Sequence, residues 1–406
     1  MKRSTDRIRT THTGSLPRPP RILETLHAQA DGRPYDKAAH QSTLREQVFD
    51  IVRRQVEAGI DVVSDGECSK PSFRAYLTER LGGFQARIPE GGVPVPGPAD
   101  PQGRDARMFP DYYEGVREHS PFAHAVRVAP RVCVERIRYI GQEALRRDLQ
   151  NLKDAMAAAG AEEGFMPSCG PVPVDENEHY RSQGEYFEAN GEAMREEYRA
   201  ILDAGLLLQI DDPRLVSSWD SRRDMDLKTY RAWMQKRIEH LNHALRGLPT
   251  ERIRFHTCYG VNFGPRLSDL QLEQVLDLIF TIRAGAYSFE AANPRHEHEW
   301  RAARKFRLPH GKILIPGAIT HSNVTVEHPD VIADHMERWA NAAGRENVLF
   351  GNDCGFASTA GNTEIPMTVA WAKLAALGEG ARLASRRLWA RRSTQGRKAA
   401  GKVSEK

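Results

Sequence analysis

No stretch of this 406-residue chain reaches the ~18 consecutive apolar side chains that a membrane-spanning helix needs. The first residues, Met1-Lys-Arg-Ser-Thr-Asp-Arg7, also lack the apolar segment of a secretory signal. A cytoplasmic location without membrane attachment is therefore expected. Cysteine is scarce: the five residues Cys68, Cys133, Cys169, Cys258 and Cys354 are odd in number and widely scattered. That excludes a disulfide framework and leaves metal or thiol chemistry open. No Gly-rich phosphate loop follows an early strand, which argues against a doubly wound nucleotide-binding sheet.

The formal charge of +4 conceals an asymmetry. Residues 379–406 carry nine Lys/Arg against Glu379 and Glu405, a balance of +7, so the remainder stands at 4 − 7 = −3. Such a basic, Ser/Gly/Ala-rich terminus reads as a disordered, solvated tail. No basic-aromatic pattern extends it into the body, so no nucleic-acid partner is expected. The expected division is a catalytic unit over 1–378 and a tail over 379–406.

What the chain does have is alternation. Short apolar runs at 8–14, 60–65, 163–168, 206–211, 252–258, 284–290, 312–319 and 347–353 predict eight strands. Between them lie helical stripes, such as Leu44, Val48, Ile51, Val52 and Val56, or Leu227, Tyr230, Met234, Ile238, Leu241 and Leu245. Further helices are expected around Leu145–Met156, Leu270–Ile279, Val331–Trp339 and Ala370–Leu377. Strand then helix, repeated eight times, predicts a (β/α)8 barrel of the TIM type. The connection from 68 to about 160 is too long for a crossover and includes the Pro-rich Ile88–Pro98 and a further strand candidate at Arg131–Ile140. It reads as an excursion after the second strand, placed as a flap over the barrel mouth.

In such a barrel the C-terminal strand ends share one mouth. Polar residues stand at nearly all of them: Gly14-Ser15, Asp65-Gly66-Glu67, Asp211-Asp212, His256, Cys258, Glu290, His321 and Asp353-Cys354. Strand alternation puts His256 and Cys258 on one side of their strand. With Glu290 and Cys354 they offer one imidazole, two thiolates and one carboxylate, a set suited to Zn2+ rather than Mg2+. His296 and His298 sit in the charged stretch Pro294–Glu299 and read as solvated.

Seven stretches then resemble the catalytic half of cobalamin-independent methionine synthase and its single-barrel relatives. They are Thr10–Arg18, Gly59–Glu67, Gln209–Pro213, His256–Tyr259, Tyr287–Glu290, Gly317–Ser322 and Asn352–Gly355, in the family's order. The resemblance implies zinc held by His256, Cys258, Glu290 and Cys354. It implies a proton donor in His321, an ammonium site in Glu67 and Asp211, and a carboxylate site in Gly14 and Ser15. The expected reaction is alkyl transfer from a methyl or alkyl donor to a small thiol, homocysteine foremost, giving methionine. Two alternatives differ: epoxide opening of the epoxyalkane:coenzyme M transferase type, and non-catalytic zinc or thiol binding. A sulfonate thiol should be repelled by Glu67 and Asp211, and a mere binder has no use for a placed proton donor. No second barrel of the kind in the two-barrel family members is expected within these 406 residues, and after Glu67 the chain departs from the family in reading Cys68-Ser-Lys-Pro-Ser-Phe73.

Overall fold

The structure, a computed structural model, describes residues 1–94, 102–173, 175–260 and 263–400. Its strands are β1 (Arg9–Thr10), β2 (Val62–Val63), β3 (Leu81–Ala86), β4 (Arg131–Tyr139), β5 (Glu163–Cys169) and β6 (Glu176–Asn177). They continue with β7 (Leu207–Asp211), β8 (Ile253–His256), β9 (Ala286–Phe289), β10 (Ile313–Ile319) and β11 (Leu349–Asn352). Eight of them pair in parallel in the order β1-β11-β10-β9-β8-β7-β5-β2. A parallel bridge between Thr11 and Val62 joins the two ends and closes the barrel. Each of these strands falls on one of the eight expected apolar runs, and the fold is a TIM barrel.

Two apolar layers follow from the strand period of two. Val62, Phe165, Leu207, Ala286, Ile313, Ile315 and Leu349 form a separate cluster drawn from six strands, the filling of the barrel. The larger cluster joins strands to the surrounding helices. Helix Lys37–Glu57 buries Leu44, Val48, Ile51 and Val52, and its Asp36 cap accepts the amides of Ala38 and Ala39. The helix expected over 270–279 is reduced to a 3-10 turn at Leu272–Gln274 and one turn at Leu276–Ile279. Leu270, Leu272, Val275, Leu276 and Ile279 are nonetheless buried, so the apolar spacing recorded burial and not a continuous helix.

The excursion builds its own sheet, with β3 antiparallel to β4 and β6 parallel to β4. Its helical part lies against the loops after β7, β8 and β11. Arg104 donates to the carbonyls of Trp219, Arg222 and Met225, the Tyr112 hydroxyl to Phe263 O, and Val126 N to Ala360 O. Part of the Pro-rich segment, 95–98, lies outside the described residues.

The disordered tail expected from residue 379 is corrected over its first half. Helix Met367–Ala400 runs through it, and Ala381, Ala384 and Leu388 are buried. Arg387 is not a free cation: it pairs with Asp330, Asp334 and Glu337 on helix Pro329–Ala343. Trp389 donates its indole N–H to Thr5 O. The physical reason is that Leu377, Ala381, Ala384 and Leu388 form an apolar stripe at helical spacing, while the basic residues project from the other faces. Side chains of 391–400, and residues 401–406 altogether, lie outside the described residues. Among the described residues no helix is long and apolar enough to cross a membrane.

Candidate metal and substrate site

Strand register brings the polar ends level. Cys169 lies beside Asp211, Asp211 beside His256, and His256 beside Ser288. Beyond β8, Thr257 donates its amide to Ser288 O and its hydroxyl to Asp212 O, which fixes the turn carrying Cys258. Cys354 follows β11 across the mouth, and its Sγ stands 3.3 Å from that of Cys258. One donor atom each from His256, Cys258 and Cys354 lies within 4.8 Å of the other two, all three residues being buried.

This trio fits a soft divalent cation. The imidazole Nδ1 of His256 meets Ser288 Oγ at 3.3 Å, while its buried Nε2 has no hydrogen-bond partner among the described residues. Burial, with a contribution from Arg254, lowers the His256 pKa to about 3, so the ring is in the neutral form that binds metals. The Cys354 thiol is pushed well above its ordinary value, first by its hydrogen bond with Cys258 and then by burial. A cation held by these donors would reverse that preference.

Glu290 is not brought into the trio. Its Oε1 accepts the amide of Tyr259 at 2.8 Å, and its Oε2 accepts Arg266 Nη1 at 2.8 Å and Asn293 Nδ2 at 2.9 Å. Burial pushes its pKa up, but the Arg266 charge, with His321 and the hydrogen bond from Arg266, outweighs it and holds the value at about 2. Glu290 instead groups with His321 and Asp353. The Asp353 oxygens are taken by the amides of Ala291, Ala292 and Asn293 at 2.7, 2.7 and 2.9 Å. This second group is a hydrogen-bonded support for the β9 end, with little lone-pair capacity left for a metal.

His321 is 1% exposed, and both ring nitrogens lack hydrogen-bond partners among the described residues. Burial lowers its pKa to about 4 against the opposing pull of Glu290. Proton donation at neutral pH therefore requires an added negative charge beside the ring.

The expected amino-acid cradle converges next to the trio. Gly14 has φ +133, and a Cβ there would stand 2.9 Å from a Glu67 oxygen. A Cβ on Gly355 would overlap the Ser15 hydroxyl, so only glycine lets the Cys354 turn approach residue 15. Glu67 itself holds a left-handed φ of 55, a strain found at functional positions, with its amide donating to Asp65 Oδ1 at 2.9 Å. Burial, then the Glu67 charge, raises Asp211 well above the usual carboxylate range. The pair is not uncompensated: Arg18 Nη2 lies 3.8 Å from Glu67, and Lys70 and Arg254 act on Asp211.

His296 corrects another expectation. It is fully buried, stacks on Tyr259 with ring centroids 4.0 Å apart, and contacts Asp269 and Glu299. His298 is exposed, as expected, and meets Gln271. Sequence reasoning overlooked Arg266 and Lys70. Lys70 is buried, donating to Pro167 O at 2.6 Å. Nothing in the pattern separates either from the other basic residues among 58.

The profile of the family described as "Cobalamin-independent synthase, Catalytic domain" matches residues 8–94. Over 380 residues the chain is 21% identical to the methionine synthase of Sulfurisphaera tokodaii, covering 92% of this chain and 91% of that one. These matches support the cobalamin-independent methionine synthase family as the one this chain resembles. Another family relative, the methionine synthase of Sulfolobus acidocaldarius, is 23% identical over 272 residues, 66% of each chain. In fold, the B12-independent methionine synthase from Shewanella sp. W3-18-1, in complex with selenomethionine, superimposes with a TM-score of 0.68. Sequence identity to it is 19%, over 95% of this chain and 99% of that chain.

Proposed function

We propose that the protein transfers a methyl group to the sulfur of homocysteine, giving methionine, with zinc held by His256, Cys258 and Cys354 and Glu290 as the family's further donor. One observation carries this reading: three buried soft donors meet at the barrel mouth, one with an unpartnered nitrogen, beside the paired carboxylates Glu67 and Asp211. When bound, zinc lowers the pKa of a substrate thiol and keeps it a nucleophilic thiolate at neutral pH. The other steps belong to the chain. Glu67 and Asp211 hold the ammonium, and the Gly14-Ser15 turn holds the carboxylate, which aims the sulfur toward the trio. The buried surroundings keep water from the reacting atoms. His321 protonates the donor's leaving group as the methyl departs, the substrate's charge restoring its basicity.

The relatives named methionine synthase support the methyl-transfer reading. A methyl or alkyl compound is the second substrate. The test is binding of homocysteine and of coenzyme M to the cobalt-substituted protein, where a bound thiolate adds a charge-transfer band. Homocysteine should bind and coenzyme M should not; the reverse outcome moves the assignment to epoxide opening. Binding without turnover on methyl-folate, methylcobalamin or methyl sulfonium donors would make the protein a thiol binder. In parallel, Cys354→Ser should lose most of its zinc.

A further inference from the structure

We propose that Lys373 and Glu327 are positioning residues that hold His321 toward the reacting atoms by fixing the backbone one residue before it. The inference rests on the reading of His321 as the proton donor and goes beyond it by assigning what orients the ring. Among the described residues no side chain does so directly, since neither imidazole nitrogen has a hydrogen-bond partner. The aim of the imidazole therefore follows from the path of the main chain at Thr320 and His321. Upstream that path is tied to the barrel, where Ile319 O accepts the Asp353 amide at 3.0 Å, next to Cys354. Downstream it enters a loop in which Val324 and Val326 are 56% and 42% exposed. Such a loop has little burial of its own to hold it still.

Glu327 closes that loop. Its Oε1 accepts the Thr320 amide at 2.8 Å, seven residues back along the chain. Lys373, on helix Met367–Ala400, holds the same carboxylate, with Nζ 3.1 Å from Oε1 and 3.0 Å from Oε2, and also donates to Thr325 O. The lysine is fully buried, whereas the Glu327 side chain is 19% exposed. A lysine buried on a covering helix beside Leu374 carries a desolvation cost that an apolar side chain avoids, so the pair is a poor source of stability. What it supplies is a charged acceptor in a fixed place, which binds an amide more strongly than a neutral one. A second tie acts from the strand side. His335, on helix Pro329–Ala343, donates Nε2–H to Gly317 O at 3.0 Å, where the register of β10 against β11 shifts. Two covering helices thus hold the strand end and the loop that flank His321.

The test combines amide exchange with single-turnover methyl transfer in the zinc-loaded, full-length protein, offering methyl-folate, methylcobalamin or a methyl sulfonium donor. Lys373→Met should speed exchange of the Thr320 amide by at least about 10-fold, because its acceptor is no longer held. It should slow methyl transfer by about 10–100-fold, the scale of a misplacement of about 1 Å, while homocysteine binding to the cobalt-substituted protein stays within about 2-fold. In the His321→Asn background the same change should cost less than about 3-fold, since a group acting through His321 has nothing left to position. An equal loss in both backgrounds would overturn the proposal, as would unchanged transfer in a folded Lys373→Met. If that variant, which leaves Glu327 unpaired, does not fold, Lys373→Met with Glu327→Met removes both charges together and carries the same expectations. Should the wild-type protein turn over none of these donors, it is the functional reading that fails. The anchoring is then judged on exchange alone, and equal Thr320 protection in wild type and variant overturns it.

Discussion

Replacing Asp211 by Asn should move stability and binding in opposite directions. Asp211 is buried, and its carboxyl accepts Gln209 Nε2 at 2.8 Å. Burial and the Glu67 charge hold its pKa well above 3.8, with Lys70 and Arg254 opposing. An acid whose folded pKa is raised binds its proton more tightly in the folded state. Its contribution therefore becomes increasingly unfavourable as pH rises above the unfolded value near 4. Asn keeps the shape and the acceptor for Gln209 and abolishes that cost, so the empty protein should melt higher than wild type at neutral pH. Homocysteine should meanwhile lose one charge-assisted contact to its ammonium, about 1.5–3 kcal/mol, or roughly 10–150-fold in Kd. Thermal unfolding at pH 5 and 7.5, with calorimetric titration of the zinc-loaded protein, reads both. The Tm gain should shrink at pH 5. A variant that melts lower than wild type at pH 7.5, or binds homocysteine unchanged, would refute the reasoning.

His321→Asn should leave zinc and homocysteine binding intact while slowing turnover by about 10²–10⁴-fold, and single-turnover kinetics separates the two. Leu388→Ala should cost about 2–4 kcal/mol because it empties a buried position on helix Met367–Ala400, and a chain ended at Gly378 should be less stable still; equal stability on chemical denaturation would return this segment to a tail. Glu364 has its pKa raised to about 8 by burial, and one of its oxygens has no hydrogen-bond partner among the described residues. Wild-type stability should therefore fall between about pH 4.5 and 8, by at most about 5 kcal/mol, and Glu364→Gln should flatten that decline in denaturation curves taken across the window.

The eight-strand alternation was legible because burial on a barrel writes a local pattern: a short continuous apolar run where a strand is buried on both faces, and a period of 3.6 along each covering helix. Val62 and Ile313 fill the barrel while their neighbours Val63 and Leu314 join the outer cluster. The trio His256, Cys258 and Cys354 was legible for a related reason. Strand ends of one barrel share a mouth, so placing each residue on its strand also places the three together. Helix Met367–Ala400 shows where composition misled. Nine basic residues hid an apolar stripe, and one of the nine, Arg387, pairs with Asp330 and Glu337, 50 or more residues away.

By itself, then, the sequence determined the strand and helix order, the closed barrel, and which polar residues stand at its mouth. Tertiary structure alone decided which of those residues touch. Glu290 stands one residue past its strand, as its run implied, yet its carboxylate turns to Arg266. That choice depends on the path of a loop, on its anchorage by Asp105 of the excursion, and on competition for two oxygen atoms in a buried space. None of these leaves a periodic trace in the chain. A burial preference belongs to one residue and can be read along a sequence; an ion pair belongs to two residues, here 24 positions apart, and exists only once the fold has set their distance.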